Sequence, residues 1–312
     1  MRIGMVGLGR MGGNMTRRLV GAGHEVVVFD HDAAVVAALA AEDPAIRPAG
    51  GLAALVDELA EPRVVWVMVP AGAPTTETVH GLVAALSPGD VVVNGGNCRW
   101  TDALAYSALA AEAGVAHVDA GVSGGVWGLA HGYCLMVGGD EAACRLAAPV
   151  FTALATEGGY ARVGGPGSGH FTKMVHNGIE YALLQAYAEG FALLHDSGLD
   201  VDLADIAELW RHGSVVRSWL LDLVATVLAE GGDLSSVAAY VEDSGEGRWT
   251  VEAAVERAVA VPAIAASLFA RFASRRDSFG DRLIAALRAA FGGHAVRSPA
   301  DPGAERDGKG PA

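Results

Sequence analysis

The stretch RIGMVGLGRMGGNMTRRLVGAGHEVVVFD, Arg2 to Asp30, decides the fold. Ile3 to Val6 is an apolar run of strand length, and Gly7, Gly9 and Gly12 follow it in G-x-G-x-x-G spacing. Helix-forming residues continue to Val20, GAGHE (21–25) breaks the helix, and Val26 to Phe29 is a second apolar run closed by Asp30. Glycines at that spacing permit a sharp turn and let a pyrophosphate approach a helix N-terminus. The spacing alone is a weak signal. Its place between a strand and a helix, with an acidic residue ending the next strand, makes it a dinucleotide fingerprint. Gly7, Gly9, Arg10, Met11 and Gly12 are therefore candidate cofactor contacts. The Asp30 carboxylate suits the ribose hydroxyls of NAD and repels a 2′-phosphate. His31 and Asp32 follow it, with no arginine for that phosphate. NAD is expected to be preferred and NADP to be weaker, a preference that a partly protonated His31 softens.

Working outward, RVVWVMVP (63–70), DVVVNGGN (90–97), VAHVDAGVSGG (115–125) and GYCLMVGG (132–139) read as further strands. Helical stretches such as Leu52–Leu59 and Thr101–Ala113 lie between them. This alternation predicts an α/β Rossmann fold, a doubly wound parallel sheet whose ligands gather at the carboxyl ends of the strands. Val69 and Pro70, Asn97, and the Ser123-Gly124-Gly125 loop fall at such ends; ordinary strand-to-helix turns are the bland alternative. GGPGSGH (164–170) punctuates the chain, and helical patterns dominate from Phe171 to about Ala290, with a helix started or kinked at Pro262. The expected organisation is a nucleotide-binding domain over 1–165, an all-α substrate and oligomerisation domain over 166–296, and a disordered tail over 297–312, rich in proline, glycine and charge.

Apolar residues make up 52% of the 312 residues and charged residues 19%, which predicts a sizeable core. A formal net charge of −14 argues against nucleic acid and anionic membrane as partners. Local cations can still hold a small anionic substrate. No apolar run reaches membrane-spanning length, the N-terminus lacks a signal-peptide pattern, and Cys98, Cys134 and Cys144 show no zinc or disulfide spacing. The expectation is a cytoplasmic protein with reduced thiols and no metal site.

The segment HFTKMVHNGIEYALLQ (170–185) carries polar groups where a helix is predicted. Lys173, His176, Asn177, Glu180 and Tyr181 follow the spacing that places side chains on one helix face. Met174, Val175, Ile179, Leu183 and Leu184 fall on other sides, where they are expected to pack. A solvated face or a satisfied structural histidine accounts for single members of this stripe, but less well for all five.

HFTKMVHNGIEY, with GVSGGVWGLAHGYCLMVGG (121–139), NGGN (94–97) and GEGRWT (245–250), resembles the 6-phosphogluconate dehydrogenases, in their short single-repeat form. The resemblance runs from Met1 to about Val296. It implies an enzyme that oxidatively decarboxylates 6-phospho-D-gluconate to D-ribulose 5-phosphate, in pentose phosphate metabolism or gluconate utilisation. It implies Lys173 as general base and Glu180 as general acid. Asn97, Ser123, Gly124, Gly125, His176 and Asn177 would hold the substrate carboxylate and hydroxyls, and Tyr181 would reach its phosphate.

One departure from the long members matters, and one further likeness to them. The segment that carries a lysine and a threonine in them has Ser244 and Glu246 here. A carboxylate repels phosphate, which shifts that role to Arg248 or to Arg271, the latter matching an arginine the family uses. LRAAFGGHAV (287–296) resembles the segment that reaches a neighbouring subunit's substrate. Arg288 and His294 would do so here, in a homodimer or homotetramer with shared sites. Rival readings are a dehydrogenase of the 3-hydroxyisobutyrate or tartronate semialdehyde type, and an NAD-binding protein without catalysis.

Overall fold

Side-chain alternation and glycine placement explain how the chain builds its sheet. The computed structural model describes residues 1–231, 234–274 and 279–296; the tail expected at 297–312 lies outside the described residues. Strands and helices alternate as β1 Arg2–Val6, α1 Arg10–Gly21, β2 Glu25–Phe29, α2 Ala33–Ala40, β3 Ile46–Pro48, α3 Leu52–Asp57, β4 Val64–Val67, α4 Ala73–Ala85, β5 Val91–Asn94 and α5 Trp100–Glu112. They continue with β6 Ala116–Ser123, α6 Gly128–His131, β7 Tyr133–Gly138, α7 Glu141–Leu154 and β8 Ala155–Gly164. Among the described residues these strands form one eight-stranded sheet in the order β3-β2-β1-β4-β5-β6-β7-β8. The order reverses at β1, between β2 and β4, which is the switch point where a doubly wound sheet opens a crevice at its carboxyl edge.

Pairing is parallel from β3 through to β6, with Val6 opposite Phe29 and Val67. The exception is β7, which runs antiparallel to β6, Ser123 facing Cys134. Both faces of the central strands are covered, so β4 is buried at every position, as expected of a strand with helices on both sides. One core packs Ile3, Met5, Trp66, Val93 and Phe151 together. The opposite face packs Val27, Val65, Val67, Leu82 and Tyr106.

The helical part comprises α8 Ser168–His195, α9 Leu203–Arg211, α10 Trp219–Gly231, α11 Glu246–Glu256, α12 Pro262–Ala273 and α13 Phe279–Gly292. Pro262 occupies the first position of α12, where its missing N–H costs nothing. Leu184, Phe191, Leu221, Val224, Leu283 and Leu287 form a separate core there. Contacts divide the chain into two compact units, Met1–His176 and Asn177 onward, with the division inside α8. On α8, Met174 and Leu184 are buried as the pattern predicts, whereas Ile179 and Leu183 are 51% and 42% exposed. That corrects the expectation that both pack: they share a helix face one turn apart, and within its own unit nothing covers that face. No helix among the described residues is long and apolar enough to cross a membrane.

Candidate active site

The turn after β1 is shaped by what each glycine avoids. Gly7 has φ +90°, and a Cβ there would lie 2.4 Å from the Met68 carbonyl oxygen. A Cβ on Gly12 would lie 1.9 Å from the Gly7 oxygen. Gly9 differs, because a Cβ there would meet nothing within 4 Å. Protein packing does not demand glycine at that position, so the open space fits a ligand that approaches the backbone. Gly9 is also the N-cap of α1 and provides no side-chain cap, and no acidic residue stands in the first turn. The helix N-terminus therefore offers its amides to an anion. Asp30 closes the cradle: its carboxylate accepts from the Leu8 amide at 2.6 Å and from the Asp32 amide at 3.0 Å. The His31 ring sits 2.8 Å from the same carboxylate. A carboxylate has about four acceptor positions, so lone pairs remain for ribose hydroxyls. These residues fit a nicotinamide dinucleotide.

Next to the cradle, β4 and β5 end in the loops that carry Val69, Pro70 and Asn97. Gly96 lies so close to the Val69 carbonyl that a Cβ would stand 2.5 Å from it. Asn97 is exposed beyond this contact.

The first unit also contains the opening turns of α8. Ser123 Oγ lies 3.3 Å from His176 Nε2. Gly124 and Gly125 turn the chain just after it with φ of +125° and +51°. A Cβ on Gly121 would be 2.4 Å from the Lys173 Cβ, so the lysine stem rests directly on β6. Ser123 thus meets His176, and Lys173 lies against Gly121 of the same strand.

Two buried histidines lie in the same unit. Burial pushes His117 down to about 3, with His170 adding to the effect, and burial pushes His170 down to about 4. His117 Nδ1 is 3.0 Å from Ser107 Oγ. Both rings are neutral in the folded chain, while the unfolded chain protonates them below about 6.5. Stability is thus unaffected by these groups above that pH and is lost as pH falls toward their folded values, at about 1.4 kcal/mol per pH unit for each ring. Melting curves should show a loss of about 3–4 kcal/mol between pH 6.5 and 5, and His117→Gln should roughly halve the slope. A melting point flat over that range would contradict the assignment.

In the second unit, Asn177 Nδ2 donates to Glu246 Oε1 at 3.0 Å, both side chains being buried. A Cβ on Gly247 would lie 2.4 Å from the Tyr181 ring, so α11 packs flat against α8. The Tyr181 hydroxyl is 3.5 Å from Ser244 Oγ. Arg271 covers the Tyr181 ring, its guanidinium carbon 3.2 Å from the centroid. It is 4% exposed, and its Nη2 has no hydrogen-bond partner. Arg271 and Arg288 both donate to the Glu242 carbonyl oxygen, at 3.3 and 2.8 Å. Burial, then the charge of Arg288, lowers Arg271 to about 10, opposed by Tyr181 and Glu180. It stays cationic at neutral pH. No carboxylate forms an ion pair with either arginine among the described residues. Arg248, the other phosphate candidate, is ion-paired with Asp243 and lies over the Phe272 ring at 4.7 Å. Arg288, expected to serve a neighbouring subunit, within one chain lines a small cavity with His294, Tyr240 and Glu242.

Sequence reasoning missed Asp119, which accepts from the backbone N–H groups of Gly167 and His170 at 2.7 and 2.8 Å. It also missed Glu246 as the partner of Asn177. Among the described residues no cluster of His, Cys, Asp and Glu could hold a metal ion, and the three cysteines are free.

A phosphate-ready cradle at the switch point and a lysine laid on β6 define a nicotinamide-dependent oxidoreductase. Residues 2–165 match the NAD-binding domain of 6-phosphogluconate dehydrogenase, and residues 169–279 match the C-terminal domain of the same enzyme. The chain belongs to the 6-phosphogluconate dehydrogenase family. A relative in Haloferax volcanii, named 6-phosphogluconate dehydrogenase, NAD(+)-dependent, decarboxylating, is 46% identical over 300 residues, covering 95% of this chain and 98% of the relative. Plasmodium falciparum 6-phosphogluconate dehydrogenase, solved in its apo form, with its cofactor NADP+ and with its substrate 6-phosphogluconate, aligns with a TM-score of 0.81 at 26% identity. That match covers 88% of this chain, which spans 62% of the Plasmodium enzyme. Mycobacterium tuberculosis 3-hydroxyisobutyrate dehydrogenase aligns over 92% of this chain with a TM-score of 0.73 at 27% identity.

Proposed function

We propose that the chain catalyses the oxidative decarboxylation of 6-phospho-D-gluconate to D-ribulose 5-phosphate and CO2, with NAD preferred over NADP. The observation that carries this reading is the buried pair Arg271 and Arg288, which converge on the Glu242 carbonyl oxygen with no carboxylate in ion-pair contact among the described residues. Buried cations without a direct ion-pair partner are costly, and a dianionic phosphate supplies one with charge-assisted bonds. Tyr181 stands against Arg271 and would donate its hydroxyl to the same phosphate. A 3-hydroxyisobutyrate-type substrate would leave those cations unmatched.

NAD, held by the turn from Gly7 to Gly12 and by Asp30, would supply the acceptor for the hydride leaving C3. Lys173, as the free amine, removes the 3-hydroxyl proton, so the alcohol becomes a ketone without a free alkoxide. The ammonium thus formed hydrogen-bonds the ketone oxygen and stabilises the negative charge that builds there as C1 leaves as CO2. Glu180, seven residues along α8 and about 10 Å in rise, delivers a proton to the enediol carbon that lost CO2. Ser123, Gly124, Gly125, Asn97, His176 and Asn177 would bind the substrate carboxylate and hydroxyls. The Asp30 carboxylate supports the NAD preference, because a 2′-phosphate beside it would be repelled.

The same reading includes a homodimer or homotetramer. Large apolar side chains of the helical unit support it: Leu193, Leu209, Val255 and Phe269 are 73%, 66%, 76% and 62% exposed. Initial rates of reduced nicotinamide formation from 6-phosphogluconate, gluconate and 3-hydroxyisobutyrate, each with NAD and NADP, test the proposal. It expects 6-phosphogluconate with NAD to lead by at least tenfold. Comparable rates with gluconate would remove the phosphate argument.

A further inference from the structure

Three residues on one face of β6, Asp119, Gly121 and Ser123, meet successive turns of α8. Asp119 accepts from the Gly167 and His170 amides through its two oxygens, at 2.7 and 2.8 Å. Gly121 takes the Lys173 stem, and Ser123 meets His176. The contact is close because glycines line it: a Cβ on Gly169 would lie 2.3 Å from the Asp119 carbonyl oxygen, and one on Gly138 2.7 Å from Asp119 Oδ1.

Helix N-termini are ordinarily capped by the residue that precedes them. Here the chain supplies no such cap, since the preceding residue is a glycine and Ser168 Oγ donates back to the Gly165 oxygen at 2.6 Å. The cap arrives instead from a strand about 50 residues earlier in sequence. Burial pushes the Asp119 carboxyl up, opposed by backbone N–H groups led by those of His170 and Gly167, so the group binds the helix at a desolvation cost. That cost has a geometric consequence. Sliding α8 by one residue would turn Lys173 by about 100° away from Gly121 and Ser123.

We propose that Asp119 is a positioning residue for Lys173: its buried carboxylate pins the first turn of α8 to β6 and so fixes the lysine at the level of Ser123 and His176. The proposal rests on the reading of Lys173 as the base. The N-terminal amides are an anion site satisfied from within the protein, and the satisfying group sets the register of the catalytic helix.

The test measures kcat and KM of the full chain for Asp119→Ala and Asp119→Asn with 6-phosphogluconate and NAD. Asp119→Ala should lower kcat about 10- to 100-fold, the loss expected of a base displaced by about 1 Å. The KM for NAD should stay within twofold, because the cradle is built on β1 and α1. Asp119→Asn keeps one accepting oxygen and should recover part of kcat. Should Asp119→Ala not fold, Asp119→Asn carries the test by itself, with a kcat loss of about tenfold and an unmoved KM for NAD as the expected result. Wild-type kcat in the folded Asp119 variants, with only a lower melting temperature, would overturn the inference. Lys173→Met, run in parallel, separates the two claims. If it stays active the base assignment falls and takes this inference with it; if it is inactive while Asp119→Ala is not, the positioning role alone falls.

Discussion

Replacing Lys173 by methionine is expected to lower kcat by about 10³- to 10⁴-fold while leaving NAD affinity unchanged. A positioned proton-transfer group contributes roughly 10²–10⁴ to a rate, and this lysine would act twice, first on the hydroxyl proton and then on the developing charge of the ketone. Methionine keeps the length and apolar contact of the stem that rests on Gly121, so the packing on β6 is preserved. NAD titration by protein fluorescence, together with steady-state kinetics, separates the two quantities. A kcat within tenfold of the wild type would remove the lysine from the mechanism.

The second large effect is expected at Arg271. Arg271→Met should lower kcat/KM for 6-phosphogluconate by about 10²- to 10³-fold, the weight of charge-assisted bonds to a phosphate in a buried site. The KM for NAD should not move. The same substitution should leave the melting temperature of the unliganded protein unchanged or raise it. The wild type buries a guanidinium with an unpartnered Nη2 and no carboxylate in ion-pair contact, whereas methionine fills the space over Tyr181 without desolvating a charge. Inorganic phosphate should raise the wild-type melting temperature and leave that of Arg271→Met unaltered. A variant that melts lower and still responds to phosphate would show that Arg271 is a structural cation and not a ligand for the phosphate.

Much of the first unit was legible because its signals are local. The G-x-G-x-x-G turn, the apolar runs and Asp30 each carry their meaning within a few residues, and β1, α1 and β2 stand where the pattern predicts. Two strands were not legible. β3 is only Ile46–Pro48, and β8 is ATEGGYARVG, a mostly exposed edge whose glycines weaken the alternation that marks a strand. Nor does periodicity encode strand direction, so the antiparallel placement of β7 appears only in the structure. The α8 stripe was legible as a pattern, and Ser123 and His176 do meet. Ile179 and Leu183 were misread because helical spacing says which residues share a face and not whether that face is covered. Long-range partners were invisible for the same reason. Asp119 looks like one more residue of a strand, and Glu246 looks only like a departure from the family pattern until Asn177 is seen donating to it. The ion pair of Arg248 with Asp243, which bears on the proposal for Arg271, was likewise invisible in the sequence.

The central claim is that the chain couples oxidation at C3 to loss of C1. The most direct measurement supplies 6-phosphogluconate labelled in C1 together with NAD, and follows labelled CO2 and NADH in the same reaction. The account predicts one labelled CO2 released per NADH formed, with NADP giving a much lower rate and the same ratio. NADH formed without labelled CO2, or no NADH formed from this substrate, would contradict it.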